Sequence, residues 1–96
     1  MTFNLIQSDI DESQKLDSLG VVGRWPRLWE TCCPIAIALK RQLGEQISFT
    51  GTRIKYKNKI HYADSTAINI AEWADKRQWW KIKPCEFIID FNPLSI

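Results

Sequence analysis

Histidine, glycine and cysteine are thinly spread in this chain, and each shortage removes a class of chemistry. The 96 residues hold one histidine, four isolated glycines and three cysteines. With its glycines standing singly, the chain has no G-x-G-x-x-G turn and no Walker phosphate loop, both of which need glycines at fixed spacing to bring backbone N–H groups against phosphate. A G-x-S-x-G nucleophile elbow is missing too. The lone His61 has no acid at a spacing that would orient it as a general base. An odd number of cysteines, two of them adjacent as Cys32 and Cys33, does not suit a disulfide framework and fits a reducing compartment. Together with His61 the cysteines lack the spacing of a zinc site, so they read as small buried hydrophobes, and neither metal nor cofactor is expected. Cys33, close to a predicted helix start, is the thiol best placed for a lowered pKa, but the Pro34-Ile35-Ala36 that follows reads as packing. Asp64 and Asp75 read as a cap and a surface acid. An enzyme is not expected.

Long apolar runs are missing as well. The longest, Pro34 to Leu39, is far short of the roughly 20 residues that cross a bilayer. The opening Met1 to Asp9 lacks the basic segment and apolar core of a secretory signal, so a cytoplasmic protein is expected, in the host cell if a phage encodes it. Hydrophobic residues at 45% and charged residues at 25% are ordinary globular usage. This length makes one small domain, for which an oligomer would be unsurprising.

Charge is uneven along the chain. Residues 1–23 hold four acids and one base, residues 84–96 two acids and no base, and residues 24–83 twelve bases against five acids. The middle is therefore a basic band of the kind that meets phosphate, nucleic acid or an acidic protein surface.

Punctuation and periodicity divide the chain into an acidic N-terminal arm, residues 1–23, and a core of residues 24–96. In the arm, Phe3, Leu5 and Ile6 read as a short strand or tether, and Ser8 or Asp9 starts a helix over about residues 9–19 whose narrow stripe of Ile10, Leu16 and Leu19 makes it peripheral. Pro26 opens a short helix reaching Thr31. The clearest element follows. Thr31, Cys32 or Cys33 caps it, Pro34 sits near its first position, Ile35, Ala38, Leu39 and Leu43 form one face, Lys40 and Arg41 complement its C-terminal dipole, and Gly44 ends it in the left-handed conformation.

After Gly44 the period shortens to that of strands. Ile47 and Phe49 alternate with polar residues, Gly51 marks a bulge or turn, and a hairpin follows. Its apolar face is predicted as Ile54, Tyr56, Ile60 and Tyr62, its basic face as Arg53, Lys55, Lys57, Lys59 and His61. Asp64 or Ser65 caps a second helix with Ala67, Ile70, Ala71 and Ala74 inward, extended by Trp73 and Trp80. Cys85, Phe87, Ile89 and Phe91 then alternate in a strand begun by Pro84 and ended by Pro93. The expected fold is a two-layer α+β domain, a small antiparallel or mixed sheet of about three strands packed on two main helices, with the N-terminal helical arm added.

Tryptophan is what the chain has in excess, with five copies. A helical frame that turns Trp80 inward leaves Trp79 either outward beside Lys76 and Arg77, where aromatic surface next to cations suits a base, a nucleotide or a protein hot spot, or closing the rim of the core. The candidate binding residues are therefore Trp25 and Trp79 for stacking, with Arg53, Lys55, Lys76 and Arg77 for phosphate. In a nucleic-acid reading, Arg53, Lys55, Lys57 and Lys59 lie along a backbone. Exposed tryptophans could instead bury a homo-oligomer contact.

From residue 31 to about residue 91, the succession Cys33-Pro34-Ile35-Ala36-x-Ala38-Leu39-Lys40-Arg41, a short hairpin, Ala71-x-x-Ala74-Asp75 and a closing Pro84-x-x-Phe87 resembles a group of small proteins of unknown function encoded by bacteriophages and prophages. The chain departs from that group in Glu72-Trp73-Ala74-Asp75, where a Phe-Asp pair is usual, in Cys85, and in its N-terminal arm. The resemblance carries over no functional residue. The leading expectation is a non-enzymatic, phage-type accessory binding protein that counteracts host defence by occupying a defence protein or sequestering a nucleotide-like signal; the alternative is nucleic-acid binding through the basic hairpin face.

Overall fold

The computed structural model describes residues 1–19, 31–50 and 53–91. Among them are five strands and three helices: β1 (Thr2–Leu5), α1 (Gln7–Ser18), α2 (Pro34–Leu43), β2 (Ser48–Phe49), β3 (Arg53–Tyr56), β4 (Lys59–Ala63), α3 (Ser65–Asp75) and β5 (Cys85–Asp90), with a 3₁₀ turn at Trp79–Lys81 before the last strand. The strands make one antiparallel sheet in the order β1-β5-β4-β3-β2. The fold is α+β as expected, and the sheet is wider than about three strands because β1 and β2 extend its two ends. The short helix expected from Pro26, the Gly51 turn and Pro93 lie outside the described residues.

Helix α2 forms where its caps direct. Cys33 is the N-cap, its Sγ accepting the Ala36 N–H at 3.4 Å; Pro34 occupies the first turn; and Gly44 closes the helix at φ 76°. Only glycine takes that left-handed angle without a Cβ penalty. One buried stripe was expected, yet everything from Pro34 to Leu39 is buried. The helix is flanked by α1, α3 and the β1 and β2 ends of the sheet, so its first two turns have no solvent side.

Helix α3 matches its pattern closely. The Asp64 side chain accepts the Ala67 N–H at 3.0 Å, and Ala67, Ile70, Ala71 and Ala74 are buried. Its C-terminus is a Schellman turn: Gln78 N–H donates to the Trp73 carbonyl at 2.8 Å and Arg77 N–H to Ala74 at 3.0 Å, with Arg77 at φ 56° in the place glycine usually takes.

The N-terminal segment is built into the core. Phe3 and Leu5 are buried, and in β1 they lie opposite Phe87 and Cys85 of β5. Helix α1 begins at Gln7, two residues earlier than expected, because its first turn is capped from within. Ile6 offers no side-chain acceptor, but Asp9 Oδ2 reaches back to accept the Ile6 N–H at 3.1 Å. Asp9 is itself buried, and Arg41 of α2 meets it with two bonds, Nε to Oδ1 at 3.0 Å and Nη2 to Oδ2 at 3.1 Å. The same Nη2 donates to the Asn4 carbonyl at 2.8 Å. Gln42 completes the clamp, its amide accepting from the Asn4 N–H at 3.0 Å and donating to its carbonyl at 2.8 Å. The terminal strand thus has side-chain partners at Asn4 on the side away from β5. Ser13, also buried, donates to the Cys32 carbonyl at 2.7 Å. Two acids of the arm therefore pair with bases of the basic band, Asp9 with Arg41 and Asp17 with Arg77.

The hairpin overturns an expected facing. Its turn has two residues, Lys57 and Asn58, both at positive φ (51° and 62°), the type I′ geometry whose twist suits adjoining strands. Tyr56 is then paired with Lys59, Lys55 with Ile60, Ile54 with His61 and Arg53 with Tyr62. Directly paired residues share a face. Ile54, Tyr56 and His61 therefore turn toward the helices, while Ile60 and Tyr62 turn outward with Arg53 and Lys55. The expected apolar and basic faces are correct in β3 and inverted in β4.

Removing Arg41 while keeping Asp9 leaves a carboxylate buried without its cation. Arg41→Met is expected to lower the unfolding free energy by about 2–3 kcal/mol, and Asp9→Asn, which retains an acceptor for Ile6, by less. Urea denaturation checks the order.

Candidate functional site

A chain of rings leads from the core to the hairpin tip. Phe3 stacks on Phe87 at 5.8 Å between centroids and meets Phe91 edge-on at 5.7 Å; Phe91 in turn packs on Tyr56 at 5.8 Å and on His61 at 5.0 Å. Phe91 is thus held on three sides. Where this chain ends, Leu43, Tyr56, His61 and Phe91, with Met1, line a pocket of about 360 Å³, and Lys57 and Lys59 stand among its walls. Lys57 Nζ lies 5.2 Å from the Tyr56 ring centre, within cation–π range.

Two features of this pocket run against local stability. His61 is only 4% exposed, and its Nδ1 is buried without a hydrogen-bond partner among the described residues. An unpaired buried polar atom costs about 1–3 kcal/mol. Lys57 takes the left-handed conformation that a two-residue turn normally gives to Asn, Asp or Gly, a further cost of roughly 1 kcal/mol. The strained Lys57 holds an ammonium in the wall of the pocket.

The candidate residues read from the sequence scatter over four places. Lys57 and Lys59 reach the pocket. Arg53 and Lys55 are on the opposite face of the sheet, Arg53 with its Cζ 5.7 Å from the Tyr62 ring centre. Lys76 and Arg77 end α3, where Lys76 pairs with Glu72 at 2.9 Å and Arg77 donates to Asp17 at 3.1 Å and to the Asp75 carbonyl at 2.7 Å. The Lys76 ammonium correspondingly draws the exposed Glu72 carboxyl below its ordinary pKa. Trp25 lies outside the described residues.

Trp80 does not face inward as expected, and of the two places open to Trp79 it takes the rim of the core. Helix α3 stops at Asp75, and the left-handed Arg77 starts a separate 3₁₀ turn, so the helical frame that would put Trp80 inward does not reach it. Trp79 packs against the core and Trp80 is 72% exposed. Trp73, with Lys81, Lys83 and Cys85, borders a smaller hollow of about 270 Å³. Tyr56, His61, Phe91 and Leu43 were not among the expected binding residues. The signal for them was the Lys57-Asn58 pair, since a two-residue turn sets the register that brings His61 beneath Tyr56.

Comparison with protein-family models, with curated proteins and with solved structures finds no match. No helix among the described residues is long and apolar enough to cross a membrane.

The thiols are placed for packing. Burial pushes the Cys33 thiol up to about 12, against smaller stabilisation from the helix N–H groups, and burial also raises Cys85. At pH 8 both are protonated and slow nucleophiles. Alkylation followed by mass spectrometry should modify Cys85 before Cys33, and Cys33 at an appreciable rate only in denaturant.

Proposed function

We propose that this is a non-enzymatic binding protein whose hairpin-tip pocket takes a small planar anion of nucleotide type. The observation that carries the reading is a pocket walled by the rings of Tyr56, His61 and Phe91 with two lysines, Lys57 and Lys59, in its lining. A base or similar ring lies against Tyr56, His61 and Phe91, and its phosphate or carboxylate meets Lys57 and Lys59. The binding residues differ from those first expected for a nucleotide: Lys57 and Lys59, expected only for a nucleic-acid backbone, replace Arg53, Lys55, Lys76 and Arg77 as the cations, and Tyr56 and Phe91 replace tryptophan as the stacking surface. Taken with the resemblance to phage proteins, the reading becomes that of an accessory protein that holds a nucleotide-like signal away from host defence.

Binding to nucleic acid has less geometric support. Arg53 and Lys55 face away from Lys57 and Lys59, so the four cations present no common track for a backbone, and Glu86 and Asp90 share the outer face with the first two. Loss of gel retardation for both DNA and RNA at low salt would remove it.

Titration calorimetry against linear and cyclic mononucleotides should give micromolar binding. Lys57→Asn suits the turn, so it should stabilise the fold by roughly 0.5–1 kcal/mol while weakening the nucleotide about tenfold. His61→Phe removes the unpaired buried nitrogen and should likewise raise stability, by about 1 kcal/mol in urea denaturation. Silence across the panel with folded wild-type protein ends the proposal.

A further inference from the structure

Helix α3 carries a second stripe beside its buried one. Thr66, Asn69, Ile70 and Trp73 follow the i, i+3, i+4, i+7 spacing of one helix side, and they form one wall of the hollow of about 270 Å³. The facing wall is the segment that leads into β5. Ile82 is extended (φ −91°, ψ 123°) and buried, so Lys81 and Lys83 on either side of it stand together on the opposite side, and both line the hollow. The polar groups gathered here are unengaged. Arg41, Lys76 and Arg77 each meet an acid, whereas Lys83 meets none among the described residues, and the side chains of Thr66, Asn69 and Trp73 have no hydrogen-bond partner there. Two acids act on this site from a distance, and both are held elsewhere: Glu72, which feels the charge of Lys81, is bonded to Lys76 at 2.9 Å, and the two oxygens of Asp64 accept the Ala67 and Ile88 N–H groups.

We propose that this hollow binds a small phosphate monoester of a ring compound, at a site separate from the hairpin-tip pocket, with which it shares no lining residue. Ammonium and indole N–H groups only donate, and amide and hydroxyl donate as well, so the group they suit is rich in acceptors and negatively charged. A phosphate monoester carries close to two negative charges at neutral pH, which two lysines match and a carboxylate does not supply. Ile70 and the indole of Trp73 give the ring an apolar surface. The volume lies just under the roughly 300 Å³ at which ligand pockets usually begin, which limits the ligand to about one ring.

The test is a site-resolved NMR titration with phenyl phosphate and inorganic phosphate as probes. Phenyl phosphate should shift the Asn69 side-chain amide and the Trp73 indole N–H saturably, with a Kd at or below about 1 mM. Inorganic phosphate lacks the ring and should move the same signals with about tenfold weaker affinity. Lys83→Gln, a change at an exposed position, should weaken phenyl phosphate about tenfold while the rest of the spectrum stays folded. Lys57→Asn, in the other pocket, should leave this titration unchanged, so failure here and failure at the hairpin tip are separate results. Unmoved Asn69 and Trp73 signals, a folded Lys83→Gln variant with wild-type affinity, binding lost with Lys57→Asn instead, or equal affinity for the two probes overturns the proposal.

Discussion

A buried carboxylate has to be matched, and the match for Asp9 decides where the first nineteen residues go. The side chain accepts the Ile6 N–H that would otherwise be orphaned at the start of α1 and takes two bonds from Arg41, which in the same reach holds the Asn4 carbonyl. One guanidinium thereby joins a strand, a helix start and the C-terminal end of α2. The coupling raises the Arg41 pKa, chiefly through its hydrogen bonds to Asp9, against a smaller opposing effect of desolvation. With β1 so anchored, Phe3 enters the core and reaches both Phe87 and Phe91. The pocket's aromatic wall depends on that contact, so a clamp at one end of the sheet supports a site at the hairpin.

The hairpin works by phase. A strand shows its two faces with a period of two, so the length of the turn decides which residues of the returning strand look inward. Lys57 and Asn58 make a turn of two, and the consequence is a buried imidazole with an exposed isoleucine on one side of it and an exposed tyrosine on the other. Inverting β4 exchanges apolar surface for a polar atom in the interior, a poor trade for stability alone. It puts His61 in the lining of the pocket and Ile60 and Tyr62 on the outer face.

Much of the fold was legible in the residues. Helix α2 carries agreeing signals at every level, a cap at Cys33, proline in its first turn, cations in its last and Gly44 at the left-handed stop. Helix α3 and β5 are equally local, with Asp64 as cap and Phe87 and Ile89 inward. The site was much less legible. Its aromatic members come from β3, β4 and the end of β5, and a list of cations by sequence position could not tell that Arg53 and Lys59 point to opposite faces or that Lys76 and Arg77 already have acidic partners.

The sequence by itself determined elements whose signals lie within a turn or two of each other: where α2 and α3 begin, where α2 stops, and which residues of β5 are buried. Backbone capping and periodicity are short-range, so they need nothing from the rest of the chain. Only the tertiary structure decided that Asp9 meets Arg41, that β1 joins the sheet beside β5, that Trp79 rather than Trp80 packs inward, and that His61 lies beneath Tyr56. Each of those depends on partners distant in sequence or on the exact geometry of a turn, where a single residue of phase reverses every side chain that follows.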